Sequence, residues 1–279
     1  MIRGLYTAAS GMTTQLKKQD TIANNVANVN TTGFKKSQTI MEQGKEFEIY
    51  RKEDSNDSLL PEKNKLVKIG KLGTGVQMAE NFVAQNQGSL KETENKLDFA
   101  IEGKGFFAFD TPNGIRFGRN GSFSTDNEGF IVNGNGHRLL SYDFQGNLGY
   151  LKPLKSDFSI NADGSLSGVE ITSSPNVPQV NLDLQNINNP KNSLLLCEFG
   201  NDNKLELEGD SYFYSPNANN LIVSSNSKVH QGFLENSDVN IVKEMVEMIN
   251  CSRLYESNQK VVTSIDETLT KSNELNKWT

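Results

Sequence analysis

Apolar residues recur at alternating steps of three and four along the first 29 residues, a spacing typical of one helix face. This stripe is narrow, and polar Gln19 fills its one vacant position. Asn, Thr and Gly follow at 30–33, and these residues weaken or close a helix. The pattern therefore predicts a helix from Ile2 to Val29, about 40 Å long. Its apolar positions are Ile2, Leu5, Ala9, Met12, Leu16, Ala23 and Val26.

The last 40 residues show a second stripe with helical spacing, and no proline follows Pro216. Asp238 or Asn240 can cap such a helix, and Glu244 is favourably placed near its positive end. We expect one continuous helix from about Asn240 to the early 270s, about 50 Å long. Its apolar positions are Val242, Met245, Val246, Ile249, Leu254, Val261, Val262, Ile265 and Leu269.

Between the two helices, short alternating apolar runs are separated by Asn-Gly and related turn signals, which are typical of antiparallel strands. The turn signals are Asn113-Gly114, Asn120-Gly121, Asn127 to Gly129, Asn133 to Gly136, and Asp163-Gly164. Aromatic and branched residues that favour strands accompany them, namely Phe99, Ile101, Phe106, Phe107, Phe109, Phe117, Phe123 and Phe130. The pattern predicts a β-rich domain with its core at residues 97–200.

The sequence therefore predicts an α+β protein, with long N- and C-terminal helices paired in a coiled-coil-like inner domain and a β-rich middle domain. We assign residues 1–43 to an N-terminal assembly helix with its closing loop, and 240–279 to a C-terminal assembly helix. Residues 44–96 are expected to form an extended connecting region, which includes a segment of mixed charge at 45–68. Residues 201–239 are expected to contain returning strands and a linker.

The narrow apolar stripes suit pairing with other helices better than docking on a broad core. Pairing the two ends of one chain leaves further apolar and small residues free for neighbouring molecules. Since tertiary packing supplies most helical stability, unpartnered ends would be only marginally ordered. We expect folding of the ends and polymerisation to be coupled.

Composition argues against several classes of function. The chain carries 28 Lys and Arg against 34 Asp and Glu, so its net charge of −6 provides no basic excess for nucleic acid. Cys197 and Cys251 lack CxxC spacing, and His137 and His230 lack metal-ligand spacing. We expect no metal, no cofactor and no nucleic-acid partner.

Catalytic motifs are also not evident in the sequence. Gly103-Lys104-Gly105 and Gly134-Asn135-Gly136 complete neither a P-loop nor a dinucleotide-binding fingerprint, and turns are the simpler interpretation. No serine lies in a GxSxG elbow. The sequence therefore predicts neither an enzyme nor a small-molecule substrate. No run approaches the roughly 18 apolar residues of a membrane span, and no secretory signal pattern begins the chain.

Four segments in order along the chain resemble the flagellar rod and hook protein family. They run from Ala23 to Lys35 (ANNVANVNTTGFK), from Asn95 to Phe107 (NKLDFAIEGKGFF), from Arg119 to Phe123 (RNGSF), and from Gln231 to Asn240 (QGFLENSDVN). The last leads into Glu244-Met245-Val246, Arg253 and Tyr255, as in the C-terminal helices of that family.

The resemblance implies a structural subunit of the bacterial flagellar rod, with its terminal helices paired in an inner tube and its β-rich domain outside. It implies self-assembly, contact with other rod proteins and hook protein, and export through the flagellar type III apparatus without a cleaved signal peptide. Gly73 to Val76 and Gln87 to Leu90 resemble the distal rod subgroup. A proximal rod protein, a hook protein and an extracellular binding module remain alternatives.

The predicted assembly interface consists of both apolar stripes and the asparagine cluster: Leu5, Met12, Leu16, Asn24, Asn25, Asn28, Ile249, Val262, Ile265 and Leu269. The asparagines have two interpretations. They weaken and close the first helix, or their amides form hydrogen bonds across subunits and fix the helix register. The resemblance favours the second interpretation.

Overall fold

The structure is a computed structural model, and it describes residues 2–52, 66–143, 145, 147–154, 158–172, 192–199, 206–209, 212–214, 222–223 and 227–275. Its internal contacts divide the chain into two compact units. Unit 1 comprises Met1–Val26, Ser37–Phe82 and Ile241–Thr279. Unit 2 comprises Ala27–Lys36 and Val83–Asn240.

Two helices and a series of short strands make up the described residues. The helices are α1 (Ile2–Ala27) and α2 (Ile241–Leu275). The strands are β1 (Ser37–Gln43), β2 (Glu46–Lys52), β3 (Leu66–Gly73), β4 (Val76–Val83), β5 (Leu90–Glu92), β6 (Phe99–Glu102), β7 (Phe106–Thr111), β8 (Gly114–Gly118), β9 (Phe123–Thr125), β10 (Ile131–Asn133), β11 (Arg138–Tyr142), β12 (Leu148–Pro153), β13 (Ser159–Ile160), β14 (Leu166–Ser167), β15 (Val169–Thr172), β16 (Ser193–Leu194), β17 (Leu196–Glu198), β18 (Glu206–Glu208), β19 (Tyr212–Tyr214), β20 (Ile222–Val223), β21 (Lys228–Gln231) and β22 (Phe233–Glu235).

In unit 1, α1 lies against α2 in the antiparallel direction, and two strand pairs accompany them. β1 pairs with β4, and β2 pairs with β3 in an antiparallel hairpin. The Thr14 hydroxyl donates to the Val76 carbonyl at 3.2 Å, which joins α1 to β4. The hydroxyls of Thr21 and Thr39 lie 2.9 Å apart and join α1 to β1. Hydroxyls along one side of α1 therefore hold the strands beside the helix.

Unit 2 is built around a large sheet whose longest path runs β15-β12-β11-β7-β8-β19-β18. Its neighbours are antiparallel, as in β7 with β8 and β11 with β12. β9, β10, β16, β17 and β20 join the same sheet off this path, and the strands outside the sheet form shorter pairs, β5 with β22, β6 with β21 and β13 with β14. Two apolar clusters form the core, one around Phe106 and Leu140, the other around Phe107 and Leu139. Because successive strand residues point to opposite faces, each sheet face contributes one cluster.

The predictions for the two helices can be compared directly with the structure. The C-terminal helix begins at Ile241, one residue after the predicted Asn240, and extends to Leu275, slightly beyond the predicted end in the early 270s. The N-terminal helix ends at Ala27, two residues before Val29. Gly33 adopts a left-handed φ of 67° but lies six residues beyond that end, so it does not cap the helix. A Cβ at Gly33 would lie 2.4 Å from the Arg119 carbonyl carbon, and close backbone packing therefore explains the glycine.

The prediction of a β-rich middle region is confirmed, and all eight strand-favouring residues from Phe99 to Phe130 are buried. Gly114, Gly129, Gly136 and Gly164 have positive φ, as their turn signals predict. Gly121 differs, because a Cβ there would lie 1.6 Å from the Phe99 carbonyl oxygen. This Asn-Gly pair allows a close approach of two backbone segments.

The described part of the region expected to be an extended connection, 44–96, contains the four strands β2 to β5. Residues 53–65 of its charged segment lie outside the described residues. The described part carries cross-strand ion pairs, with Lys68 bonded to Glu48 and Lys71 Nζ 2.8 Å from Glu46 Oε2. The mixed charge therefore places opposite charges on facing strands of a hairpin. Within the described chain, no helix has the length and hydrophobicity needed to span a membrane.

Candidate assembly interface

The contacts between α1 and α2 recur every seven residues on both helices. A Cβ at Gly4 would lie 3.2 Å from Ile265 Cδ1, and one at Gly11 would lie 3.0 Å from Asn258 Nδ2. One step further along α1, Lys18 Nζ forms an ion pair with Glu247 Oε2 at 3.1 Å, one turn from the buried Cys251. At the first two levels, glycine on α1 leaves room for the α2 side chains Ile265 and Asn258.

Asn25 provides the fourth level of this contact. Its Nδ2 donates to Glu244 Oε2 at 3.2 Å and to the Ser37 carbonyl at 2.8 Å. Its Oδ1 accepts from the Ser37 amide at 3.0 Å. This buried amide therefore joins α1, α2 and the start of β1 within one chain. Asn28 Oδ1 accepts from the Thr31 hydroxyl at 3.1 Å, and Asn24 is exposed.

The predicted interface residues fall into two groups by exposure. One group is buried or partly buried within the single chain. Asn25 is fully buried, and the partly buried members are Leu5, Met12, Asn28, Val262, Ile265 and Leu269. Leu16 and Ile249 remain 46% and 53% exposed, and Asn24 is exposed as well. The structure thus places the first group within the contacts of one chain and leaves the second group accessible to a neighbour.

The first turns of α2 carry a group of exposed apolar side chains that we call the α2 stripe. The stripe consists of Ile241, Val242, Met245, Val246 and Ile249, each between 39% and 66% exposed. Spacing of three and four places Val242, Met245, Val246 and Ile249 on one face. Soluble monomers rarely expose a contiguous apolar patch of this kind unless it binds something.

A second apolar surface of unit 1 is a groove between the beginning of α1 and the β2–β3 hairpin. The cavity measures about 730 Å³. Tyr6 lines it from the helix, and Phe47, Tyr50 and Leu72 line it from the hairpin. Tyr6, Phe47 and Tyr50 are all exposed. Sequence analysis missed this groove, although three aromatic or aliphatic residues interrupt the charged segment at positions 47, 49 and 50.

Unit 2 contains a buried charge cluster around Glu235. Lys35 Nζ lies 2.6 Å from Glu235 Oε1, and Arg119 Nη1 lies 3.4 Å from Oε2. All three side chains are 1% exposed. The Gly88 amide also donates to Oε1 at 2.8 Å. One carboxylate therefore ties three separate chain segments to the end of β22.

The cluster alters the protonation behaviour of its members. Burial, followed by the charge of Arg119, lowers the pKa of Lys35, while Glu235 opposes that effect. Burial also lowers the pKa of Arg119. Asp238 accepts from the Lys36 amide at 2.7 Å, and burial raises the pKa of its carboxyl group. Two cations share one buried carboxylate, so each member is costly to leave without its partners.

The sequence patterns alone indicate no role for Lys35, Arg119 and Glu235. All three lie in motifs that carry the family resemblance, which was the available signal. Their spacing of 84 and 116 residues gives no indication that they meet. Within the described part of the chain, no three His, Cys, Asp or Glu residues are grouped to hold a metal ion.

One unit with paired terminal helices and exposed apolar side chains, and a second unit rich in β-strands, are together typical of a structural protein that assembles. Three family models match the chain: "Flagella basal body rod protein" at residues 5–35, "Flagellar hook protein FlgE/F/G D1 domain" at 100–179, and "Flagellar basal body rod FlgEFG protein C-terminal" at 230–275. All four sequence motifs overlap these matches.

Full-length relatives give the same result. The chain is 32% identical to the flagellar basal-body rod protein FlgG of Buchnera aphidicola subsp. Baizongia pistaciae, over 97% of this chain and 98% of the relative. It is 32% identical to FlgG of Borreliella burgdorferi, over 99% of both chains. It is also 30% identical to the flagellar hook-basal body complex protein FlhO of Bacillus subtilis, over 99% of this chain. The chain belongs to the flagellar basal-body rod and hook protein family, and the resemblance inferred from its motifs is confirmed.

Proposed function

We propose that this chain is a structural subunit of the flagellar basal-body rod, of the distal type, which polymerises and transmits torque from the motor to the hook. The observation that carries this proposal is the sequence match to FlgG proteins, which covers nearly the whole length of this chain and of each relative. Both the helices and the β-rich unit are included in that match. A binding module would require only the β-rich unit.

The two terminal helices pair in a coiled-coil-like arrangement in this proposal. Contacts at Gly4, Gly11 and Asn25 support it, since steps that are multiples of seven keep one seam facing the partner helix. The segments 1–43 and 240–279 then form the assembly part of the subunit. Neighbouring subunits contact the side chains that this pairing leaves uncovered, including Leu16 and Ile249.

The remaining assignments follow from membership of the rod. The subunit leaves the cytoplasm through the flagellar type III export apparatus without a cleaved signal peptide. It then assembles with copies of itself and contacts other rod proteins and hook protein. It acts as a shaft and not as an enzyme, so neither a substrate nor a cofactor takes part.

Immunogold electron microscopy provides the test. An antibody against unit 2 is applied to detergent-isolated complexes of filament, hook and basal body. We expect label on the distal part of the rod. Label on its proximal part, or along the hook, would keep the family and change the subunit assignment. Complexes that retain their rods but carry no label would exclude a rod function.

A further inference from the structure

We infer that the groove of unit 1 is the docking site for the α2 stripe of a second copy of this chain. This inference rests on the proposed function, which requires copies to polymerise, and specifies which surfaces meet. The groove-lining residues used here are Tyr6, Phe47, Tyr50 and Leu72. The stripe is Ile241, Val242, Met245, Val246 and Ile249.

The groove requires an occupant because its hairpin wall is weakly supported. Isolated two-stranded hairpins are marginally stable in water. β2 and β3 pair only with each other among the described strands, and Phe47 remains 58% exposed. A helix seated against Phe47 and Leu72 would cover the open apolar side. Burial of these side chains would stabilise the hairpin and the contact together.

The α2 stripe matches the groove in size. The eight residues from Val242 to Ile249 form a helical segment about 12 Å long and about 10 Å wide. Only the apolar side of that segment has to enter the cavity of about 730 Å³. Size and apolar character therefore favour this occupant.

One chain cannot place its own stripe in its own groove. In the seven-residue register, Tyr6 lies level with residue 263 of α2, about 18 residues from Met245. At about 1.5 Å per residue, that separation is about 27 Å along the helix pair. The partner must therefore be another copy, displaced along the axis by a similar distance.

This geometry also explains why the assembly grows. The groove and the stripe are different surfaces, so each copy that uses its stripe still offers an empty groove. Head-to-tail contacts of this kind form open helical filaments when the rotation between copies does not close a ring. The contact is therefore suited to a continuous shaft.

Site-specific photo-crosslinking in the assembled organelle tests the inference. The full-length chain carries p-benzoylphenylalanine in place of Phe47, and basal bodies are isolated from the flagellated host and irradiated. We expect linked dimers whose peptides join position 47 to residues 241–249. The matched control carries the crosslinker at Ile69, which is exposed on the same hairpin but does not line the groove. We expect at least about tenfold less of that product from the control.

Charge substitution gives a second readout in the same host. Phe47→Asp alone and Val246→Lys alone should each reduce motile cells by at least about tenfold, since each places a charge in an apolar contact. The double variant should recover part of that loss, because the two charges then face each other. Circular dichroism of each purified chain checks that the helices and strands are retained.

The outcomes separate this inference from the proposed function. Basal bodies that contain the protein but link position 47 to another segment, or charge variants with no mutual rescue, overturn the docking site and leave the rod assignment intact. Basal bodies from which the protein is absent overturn the rod assignment itself.

Discussion

Single residues determine whether the buried charge cluster stabilises or weakens unit 2. Glu235→Gln would leave Lys35 and Arg119 buried without their shared carboxylate, and we expect it to lower the free energy of unfolding by about 3–5 kcal/mol. Lys35→Met keeps Arg119 with Glu235 and should cost less. Urea unfolding followed by circular dichroism compares the two variants. Equal losses would contradict this account of the cluster.

The same cluster gives a pH dependence with a defined sign. Burial lowers the pKa of Lys35 from its usual 10.5, so the unfolded chain binds this proton more strongly than the folded chain. Stability contributed by this group therefore rises with pH between the lowered pKa and 10.5. The difference in unfolding free energy between wild type and Lys35→Met should shift in favour of wild type across that window. Urea titrations at several alkaline pH values measure the slope, and parallel slopes would contradict it.

Gly33 and Gly136 allow backbone strain to be separated from close packing. Both have positive φ, but only at Gly33 would a Cβ meet neighbouring backbone. We expect Gly136→Ala to lower the free energy of unfolding by about 1 kcal/mol through backbone strain. Gly33→Ala should lower it by about 1–3 kcal/mol more, because the added methyl group overpacks the site. Thermal unfolding of the two variants provides the measurement. Similar losses would assign the need for Gly33 to conformation alone.

At the scale of elements, substitutions on the helix pair can distinguish packing within one chain from assembly between chains. Leu16→Asp changes a half-exposed side chain and should cost the monomer only about 0.5–1 kcal/mol, while it blocks assembly. Ile265→Asp places a charge beside Gly4 and should also loosen the helix pair. Motility assays and sedimentation record assembly for both variants.

The reaction rates of the two cysteine thiols show which unit is loosened by these substitutions, since Cys251 lies in unit 1 and Cys197 in unit 2. Burial raises the pKa of the Cys251 thiol in α2, and raises that of Cys197 in unit 2 to about 12. We expect both thiols to react slowly with Ellman's reagent in the wild type. Ile265→Asp should accelerate the reaction of Cys251 alone, and Leu16→Asp should accelerate neither. Normal motile flagella from both variants would contradict the paired-helix mechanism.

At the scale of the whole molecule, the β2–β3 hairpin can be deleted because the residues on either side of it, Gly44 and Gly75, are hydrogen-bonded to each other. The Gly44 amide donates to the Gly75 carbonyl at 2.8 Å, just after β1 ends and just before β4 begins. Replacing residues 45–74 by Asn-Gly should join these strands through a two-residue turn. We expect the shortened chain to fold with α1 and α2 intact but to fail in rod assembly, because the groove has lost one wall.

Circular dichroism and basal-body isolation test this deletion. A matched control chain keeps the hairpin and carries Ile69→Asp, an exposed change outside the groove. The control should assemble normally. Rods of normal length and straightness from the shortened chain would show that the hairpin contributes nothing to the contact.

Local pattern determined much of this architecture. Spacing of three and four predicted α2 to within a few residues at each end, and a turn signal at Asp163-Gly164 correctly indicated a left-handed glycine. Four ordered motifs were sufficient to identify the family. Such features depend on residues close in sequence, and their physical causes are periodicity, turn conformation and helix closure.

Only the tertiary structure decided how distant residues meet. It placed Asn25 against Glu244 and Lys35 against Glu235. It also left Leu16 exposed, although Leu16 and Leu5 occupy equivalent positions in the apolar pattern of α1. A periodic pattern states which side chains share a face, but not which neighbour covers that face. Coverage depends on the register of two helices and on the path of a hairpin, and both are set by contacts between segments far apart in the chain.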